Sequence, residues 1–378
     1  MCKANLLVVL PLVLATACET PTESPGSYDG TLRTALANGA NDVSVMTQNL
    51  YHGADIAQIA NVPASQVPFA VAEAWATIQA TDFPTRARAL AAEIAATRPH
   101  LIGLQEVTTW RTQTPSDFVL GQQAPNATTV AYDFLAILLD ALADRGLDYR
   151  VAALSPTSDI EVPAYTGVGA IPYMDIRFGD AEAVLARSDV KVQESFAYQY
   201  SARSPGALGR INGWAAARVI VGRRELTFVS THLIGEENPD IQAQQAAEVL
   251  AWIGEQAVPV ILVGDFNSAA NPGAPDDNKS GTYAMLLGAG FTDVWARGNK
   301  AEAGLTCCHD YLLANEEVMF DQRLDLVLLN QGLSRMVGAA QARVIGDDPA
   351  VHAAYGLWPS NHAGVFAVLH MPMGLNSR

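Results

Sequence analysis

The chain has 378 residues, 49% of them hydrophobic and 16% charged, with a formal net charge of −16. Its only lysines are Lys3, Lys191, Lys279 and Lys300, so no basic stripe is present to neutralise phosphates, which argues against a stable, sequence-independent nucleic-acid complex. The acidity does not exclude phosphodiester cleavage, because a bound cation can supply the positive charge, and cysteines at 2, 18, 307 and 308 form no spaced framework, so a disulfide-stapled fold is excluded.

Lys3 is followed by a short apolar run, Leu6–Leu14, and then by Ala15-Thr16-Ala17-Cys18. The run is too short to span a bilayer and has the order of a signal peptide. Cys18 after small residues is similar to a bacterial lipoprotein cleavage box, although Ala15 stands where that box usually has Leu. Residues 1–17 are therefore expected to be a lipoprotein-type leader on an exported chain, with the membrane as partner through a lipidated Cys18. Residues 18–41, rich in Thr, Pro, Ser, Gly and Asn, are expected to be a flexible tether.

A strand begins at Asp42–Met46 and runs into Gln48-Asn49. A helical stretch is expected over 70–79, and the spacing of Ala87, Leu90, Ala91, Ile94 and Ala95 predicts a second helix over 86–98, ended by Pro99. Leu101–Leu104 is a short buried strand that delivers Gln105-Glu106. A polar loop is expected over 111–129, a helix over 133–145, a strand over 149–154, and an irregular Pro- and Gly-containing stretch over 155–180. Ala183–Arg187 is a strand, and 214–221 with 225–232 a hairpin that ends in Ser230-Thr231-His232. A helix over 239–256 is expected to pack with Ala243, Ala246, Ala247, Leu250 and Ile253.

The continuous apolar run Val260–Val263 predicts a strand buried on both faces, ending in Gly264-Asp265-Phe266-Asn267. With a side-chain period of two, Asp265 and Asn267 point to one side at its carboxyl end. A short helix at 282–287 and strands at 324–329, 343–345 and 363–370 complete the pattern, the last entered by Ser360-Asn361-His362. Cys307 and Cys308 are expected to be two buried free thiols rather than a vicinal disulfide, whose geometry adjacent residues fit poorly even outside the cytoplasm, and His309, the only other soft ligand nearby, makes a zinc site a weaker reading still. One domain over 42–372, a monomer, is expected.

Polar residues that do not suit a core sit at the strand ends: Asn49, Glu106, His232, Asp265, Asn267, Asn361 and His362. Asp325 lies in the apolar run Leu324–Leu329 and needs a partner, for which a histidine serves. Glu106, Asn49 and Asp265 offer the oxygen ligands that Mg²⁺ prefers. A histidine moves protons near neutral pH, an aspartate behind it fixes its tautomer, and a buried amide can donate to charge on a phosphoryl oxygen. These are the parts for metal-assisted hydrolysis of a phosphate ester.

Six motifs occur in order: Gln48-Asn49, Leu104-Gln105-Glu106, Ser230-Thr231-His232-Leu233, Gly264-Asp265-Phe266-Asn267, Arg323-Leu324-Asp325 and Ser360-Asn361-His362. In this order they resemble the endonuclease/exonuclease/phosphatase superfamily. The resemblance implies an α/β four-layer sandwich of two packed mixed sheets flanked by helices. It implies a Mg²⁺-dependent (or Mn²⁺-dependent) phosphoesterase acting on a phosphate-ester substrate. Asn49, Glu106 and Asn361 match metal positions, Asp265 and Asn267 the residues that orient water and stabilise the transition state, His232 the leaving-group acid, and Asp325 with His362 a dyad. The family usually has Ser-Asp-His where this chain has Ser360-Asn361-His362, which leaves open a member that binds a phosphorylated ligand without turning it over.

Overall fold

Apolar strands that alternate their side chains between two covered faces dictate a layered fold here. The structure, a computed structural model, describes residues 42–372 except 204–210, 236, 272–279 and 300. The leader, Cys18 and the tether lie outside the described residues. In chain order the strands are β1 (Val43–Asn49), β2 (Leu101–Gln105), β3 (Thr109–Gln113), β4 (Thr129–Asp133), β5 (Tyr149–Tyr165), β6 (Tyr173–Arg187) and β7 (Lys191–Gln199). They continue as β8 (Gly213–Val221), β9 (Arg224–His232), β10 (Val260–Asp265), β11 (Thr292–Asp293), β12 (Asp325–Leu329), β13 (Ala339–Ile345) and β14 (Gly364–His370). The helices are α1 (Val67–Ala80), α2 (Phe83–Thr97), α3 (Phe134–Ala143), α4 (Pro239–Gly254), α5 (Thr282–Gly288), α6 (Val294–Gly298), α7 (Gln331–Ser334) and α8 (Pro349–Tyr355).

One sheet of eight strands runs β13-β14-β1-β2-β6-β3-β4, with β5 on the far side of β6; the other, of six, runs β11-β12-β10-β9-β8-β7. Both are mixed: β1 is parallel to β2 and antiparallel to β14, and β10 is parallel to β9 and antiparallel to β12. Alternation along the apolar strands builds the layers. Val45, Val263 and Val327 meet between the sheets. Their neighbours Met46 and Ile102 face Leu90, Ile94 and Leu138 of α2 and α3, while Leu262 and Leu328 face Val249, Ile253 and Leu286 of α4 and α5. The fold is the four-layer α/β sandwich.

Register fixes what gathers at one edge. Asn49 pairs with Gln105 at the end of β1 and β2, and Asp265 pairs with both His232 and Asp325 at the end of β10. Asn49 at the end of β1 and His362 at the entry to β14 in the first sheet meet Asp265 and Asp325 of the second across the rim of the sandwich. Gly264 makes this possible, because a Cβ there would lie 1.9 Å from the carbonyl oxygen of Thr231 on the adjacent strand.

Three segments differ from their sequence-based expectation. Residues 155–180 are not an irregular loop: β5 and β6 form a long antiparallel ribbon over most of it. Pro163 is tolerated because β5 pairs on one side only, and Pro156 sits at a register shift. The stretch 111–129 holds most of β3 and the start of β4; β4 is an exposed edge strand and β3 beside it is half-buried, which leaves little apolar alternation to detect. Helix α4 turns Gln242 and Gln245 inward with Ala246, Val249 and Ile253, while Ala247 is exposed. The two amides are buried because they bond backbone: Gln242 Nε2 donates to Ile234 O and Asn267 O (2.7 Å each), and Gln245 Oε1 accepts from Ile234 N at 2.8 Å.

Arg86, fully buried on α2, donates to the carbonyls of Thr81 (2.8 Å), Leu50 (2.7 Å), Tyr51 (3.2 Å) and Pro359 (3.1 Å). It thereby ties the end of β1 to the segment that enters β14. Each dry carbonyl left unpaired costs about 1–3 kcal/mol, so Arg86→Ala is expected to lower unfolding free energy by at least about 3 kcal/mol in urea titrations. A loss below about 1 kcal/mol would mean that water replaces the guanidinium.

Candidate active site

The centre of the site is the buried carboxylate of Asp265. Its Oδ1 accepts the backbone N–H of Asn267 at 2.9 Å. Its Oδ2 accepts Nδ2 of Asn49 at 3.1 Å and lies 3.5 Å from His232 Nε2 and 3.8 Å from His362 Nε2. One oxygen thus faces three of the six motifs.

Asn49 joins the two sheets. Its Nδ2 also donates to Glu106 Oε1 at 3.1 Å, while its Oδ1 accepts Tyr51 N–H at 2.8 Å. In this arrangement Asn49 presents donors to two carboxylates, and its oxygen is held by the backbone. Glu106 has a left-handed backbone (φ 56°), which turns the side chain back over β1, where Oε2 accepts His52 N–H at 2.7 Å and lies 3.3 Å from His52 Nε2. Asn267 is left-handed too (φ 47°). Non-glycine residues adopt such angles rarely, and here the bonds to Asp265 and Leu233 hold it: Asn267 Nδ2 donates to Leu233 O at 2.9 Å and faces His232 Nε2 at 3.1 Å. The His232 ring lies between Asn267 and Glu182, its Nδ1 3.9 Å from Glu182 Oε1.

Asp325 Oδ2 bonds His362 Nδ1 at 2.9 Å, both groups being buried. Burial alone would lower the His362 pKa, but the carboxylates of Asp325 and Asp265 outweigh it and hold the imidazolium up to about 9. Burial pushes the Asp325 carboxyl up to about 6, with His362 opposing. The pair is therefore ionised at neutral pH. Ser360 Oγ donates to Asn49 O at 2.7 Å and accepts His362 N–H at 3.2 Å, which fixes the approach of the histidine to β1.

Seven of the sequence-predicted residues meet through these contacts: Asn49, Glu106, His232, Asp265, Asn267, Asp325 and His362. Asn361 is placed differently. Its carbonyl accepts His309 N–H at 2.9 Å, and its Oδ1 is buried without a hydrogen-bond partner among the described residues. Cys307 and Cys308 are bonded to each other rather than free, and both sulfurs lie against His362.

His52, Asp180 and Glu182 escaped the sequence reading. His52 Nδ1 lies 2.7 Å from Thr108 Oγ1 and 3.9 Å from Asp180 Oδ1. Asp180 and Glu182, two apart on β6, present carboxylates to the same face, one towards His52 and one towards His232. That spacing was the available signal, hidden because Asp180 fell in a stretch read as loop.

A divalent cation fits this donor set. Glu106 and Asp265 are held together by one amide nitrogen, Asp265 is 1% exposed, and a pair of carboxylates so enclosed needs compensating positive charge. Asp265, Asp325 and His362 also bring ligand atoms within 4.8 Å of one another.

The family model described as Endonuclease/Exonuclease/phosphatase family matches residues 46–362. The chain belongs to that family. The endonuclease/exonuclease/phosphatase activities named there are all hydrolyses of phosphate esters, so the site is that of a phosphoester-hydrolase family. Among solved structures, a family protein from Beutenbergia cavernae DSM 12333 superposes with TM-score 0.53 at 19% identity, over 88% of this chain and 72% of that one. A D. rerio TDP2 humanized by 14 mutations gives 0.51 at 16% identity, over 88% and 100%. The Bacteroides vulgatus family protein gives 0.51 at 15% identity, over 88% and 99%. At these identities the likeness establishes the fold. No curated protein sequence matches the chain.

Proposed function

We propose that the chain is an exported, Mg²⁺-dependent phosphodiesterase, anchored to a membrane through lipidated Cys18. The observation that supports it most is the Asp265 carboxylate, which one amide and two histidines surround. Glu106 would hold the ion, with the amide oxygens of Asn49 and Asn361 as further ligands; bound Mg²⁺ would supply positive charge to the phosphoryl group. Asp265 orients the attacking water and takes its proton. His362, protonated at neutral pH, is a donor rather than the base, and Asp325 keeps it so. Asn267 and His232 hold the phosphoryl oxygen and the leaving group.

The strongly acidic chain disfavours long polyanions, and an anchored site faces lipid headgroups or extracellular phosphate esters. The test is a panel: purified chain and Mg²⁺ with sphingomyelin, phosphatidylinositol, inositol phosphates, DNA and RNA. Hydrolysis of a headgroup or soluble ester, abolished by EDTA, is expected. DNA or RNA as the best substrate would contradict the substrate reading, and phosphoryl-ligand binding without turnover would contradict the enzyme reading.

Two further outcomes are expected. Two unit charges about 4 Å apart interact by up to roughly 4 kcal/mol at an effective dielectric of about 20, and a third of that is about tenfold in a binding constant. Asn361→Asp should therefore lower the half-saturating Mg²⁺ concentration about tenfold; no decrease would place Asn361 away from the ion. Cys18→Ala should move the protein from the membrane to the soluble fraction, and unchanged membrane association would contradict lipidation.

A further inference from the structure

The backbone clamps Cys307 and Cys308 beside the site from two sides. His309 N–H bonds Asn361 O (2.9 Å) and Ala363 N–H bonds Thr306 O (2.8 Å), while Cys307 N–H bonds Gln322 O (3.0 Å) and Asp321 N–H bonds Cys307 O (2.8 Å). Cys307 is buried and Cys308 half-buried. Both sulfurs face the free nitrogen of the dyad histidine: Cys307 Sγ is 3.6 Å and Cys308 Sγ 3.8 Å from His362 Nε2.

We infer that the reduced Cys307–Cys308 pair and His362 Nε2 form a second metal site, for a thiophilic divalent ion such as Zn²⁺ or Cd²⁺, and that its occupation stops hydrolysis. Two thiolates and an imidazole are the donor set of soft and borderline metals, whereas Mg²⁺ takes oxygen, so this site differs from the one at Glu106. The spacing suits it. Zn–S bonds of about 2.3 Å and Zn–N bonds of about 2.0–2.1 Å, opened to the tetrahedral angle, put sulfur and nitrogen about 3.6 Å apart. The sulfurs must part to about 3.8 Å on the same bond lengths, which reduction permits. Asp325 behind Nδ1 orients the ring with Nε2 towards the sulfurs, as carboxylates do behind metal-bound histidines. His362, not the sequence neighbour His309, supplies the imidazole.

The chemistry balances. A thiol or phosphine reductant delivers two electrons, the S–S bond breaks, and two protons make two thiols. The ion then displaces both thiol protons and the proton on His362 Nε2, while the Nδ1 proton stays on its bond to Asp325. Inhibition follows because Nε2, which faces Asp265, is then committed to the ion; this half of the inference rests on the proposed function, and the binding half does not.

The test is a Cd²⁺ titration of the full chain, after phosphine reduction and with Mg²⁺ in excess, followed by the ultraviolet thiolate-to-cadmium charge-transfer band. Wild type is expected to bind one Cd²⁺ that is absent from the oxidised chain and from the Cys307→Ser/Cys308→Ser variant, with hydrolysis falling in step. Cys308→Ser alone, which keeps the buried Cys307, should weaken binding at least tenfold and covers a folding failure of the double variant. The same band in the oxidised chain or in the double variant overturns the site. Binding by wild type with hydrolysis unchanged overturns its inhibitory role. If the enzyme supplied with Mg²⁺ and free of Cd²⁺ hydrolyses nothing, the proposed function fails, and the absorbance titration still decides the site.

Discussion

Asp265→Asn is expected to lower phosphodiester hydrolysis at least about 10³-fold while leaving the fold intact. The substitution keeps shape and removes the one carboxylate that Asn49, His232 and His362 all face. A positioned acid–base group contributes about 10²–10⁴-fold, and Asp265 also carries charge that a cation and an imidazolium balance. Some stability should be lost at neutral pH, since the Asp265 carboxylate helps hold the His362 imidazolium. Steady-state rates with far-ultraviolet dichroism and urea titration check both halves. Activity within tenfold of wild type in a folded variant would remove Asp265 from the reaction.

Asp325→Asn is the second large effect. In wild type His362 is held up to about 9, so the rate should fall as pH rises through about 9 and the cation is lost. Without Asp325, burial is opposed only by Asp265 and Glu106, so the His362 pKa falls from about 9 towards its ordinary value. At pH 7.5 the variant then holds less of the imidazolium and loses the carboxylate that orients it, and its rate should fall at least about 10²-fold, in keeping with loss of the aspartate from a catalytic triad. The upper limb of its rate profile should move to acid. Stability carries the same signature. A raised histidine pKa adds stability that is complete below about 6.5 and is lost as pH rises through about 9. Urea titrations at pH 6.5 and 9 should show that loss in wild type and much less of it in Asp325→Asn. Superimposable rate profiles would take Asp325 out of the site.

What the sequence discloses and what it hides follow from where apolar and polar residues meet. Val260–Val263 and Leu101–Leu104 are apolar on both faces, so their buried position was legible, and polar residues that end such runs, Asp265 and Glu106, stand out. Asp325 stands out because an acid in an apolar run needs a partner. Strands at or next to sheet edges lack that contrast: β7, exposed along most of its length, edge strand β4 and its half-buried neighbour β3 carry no clear alternation. The β5–β6 ribbon was hidden by Pro156 and Pro163, which only an edge strand and a register shift accommodate. Gln242 and Gln245 mislead for another reason. Their hydrogen bonds to Ile234 and Asn267 bury an amide face that apolar periodicity assigns to solvent. His52 completes the site through a tertiary contact that no local pattern encodes, whereas Glu182 could be found only from its spacing to Asp180 on a strand.

Hydrolysis of bis-p-nitrophenyl phosphate by the purified chain, stripped with EDTA and then resupplied with Mg²⁺, tests the central claim most directly. The account predicts nitrophenolate release that stops on stripping, returns with Mg²⁺ and is absent from Asp265→Asn under both conditions. Release that persists in EDTA, or no release at any Mg²⁺ concentration from a folded chain, would contradict it.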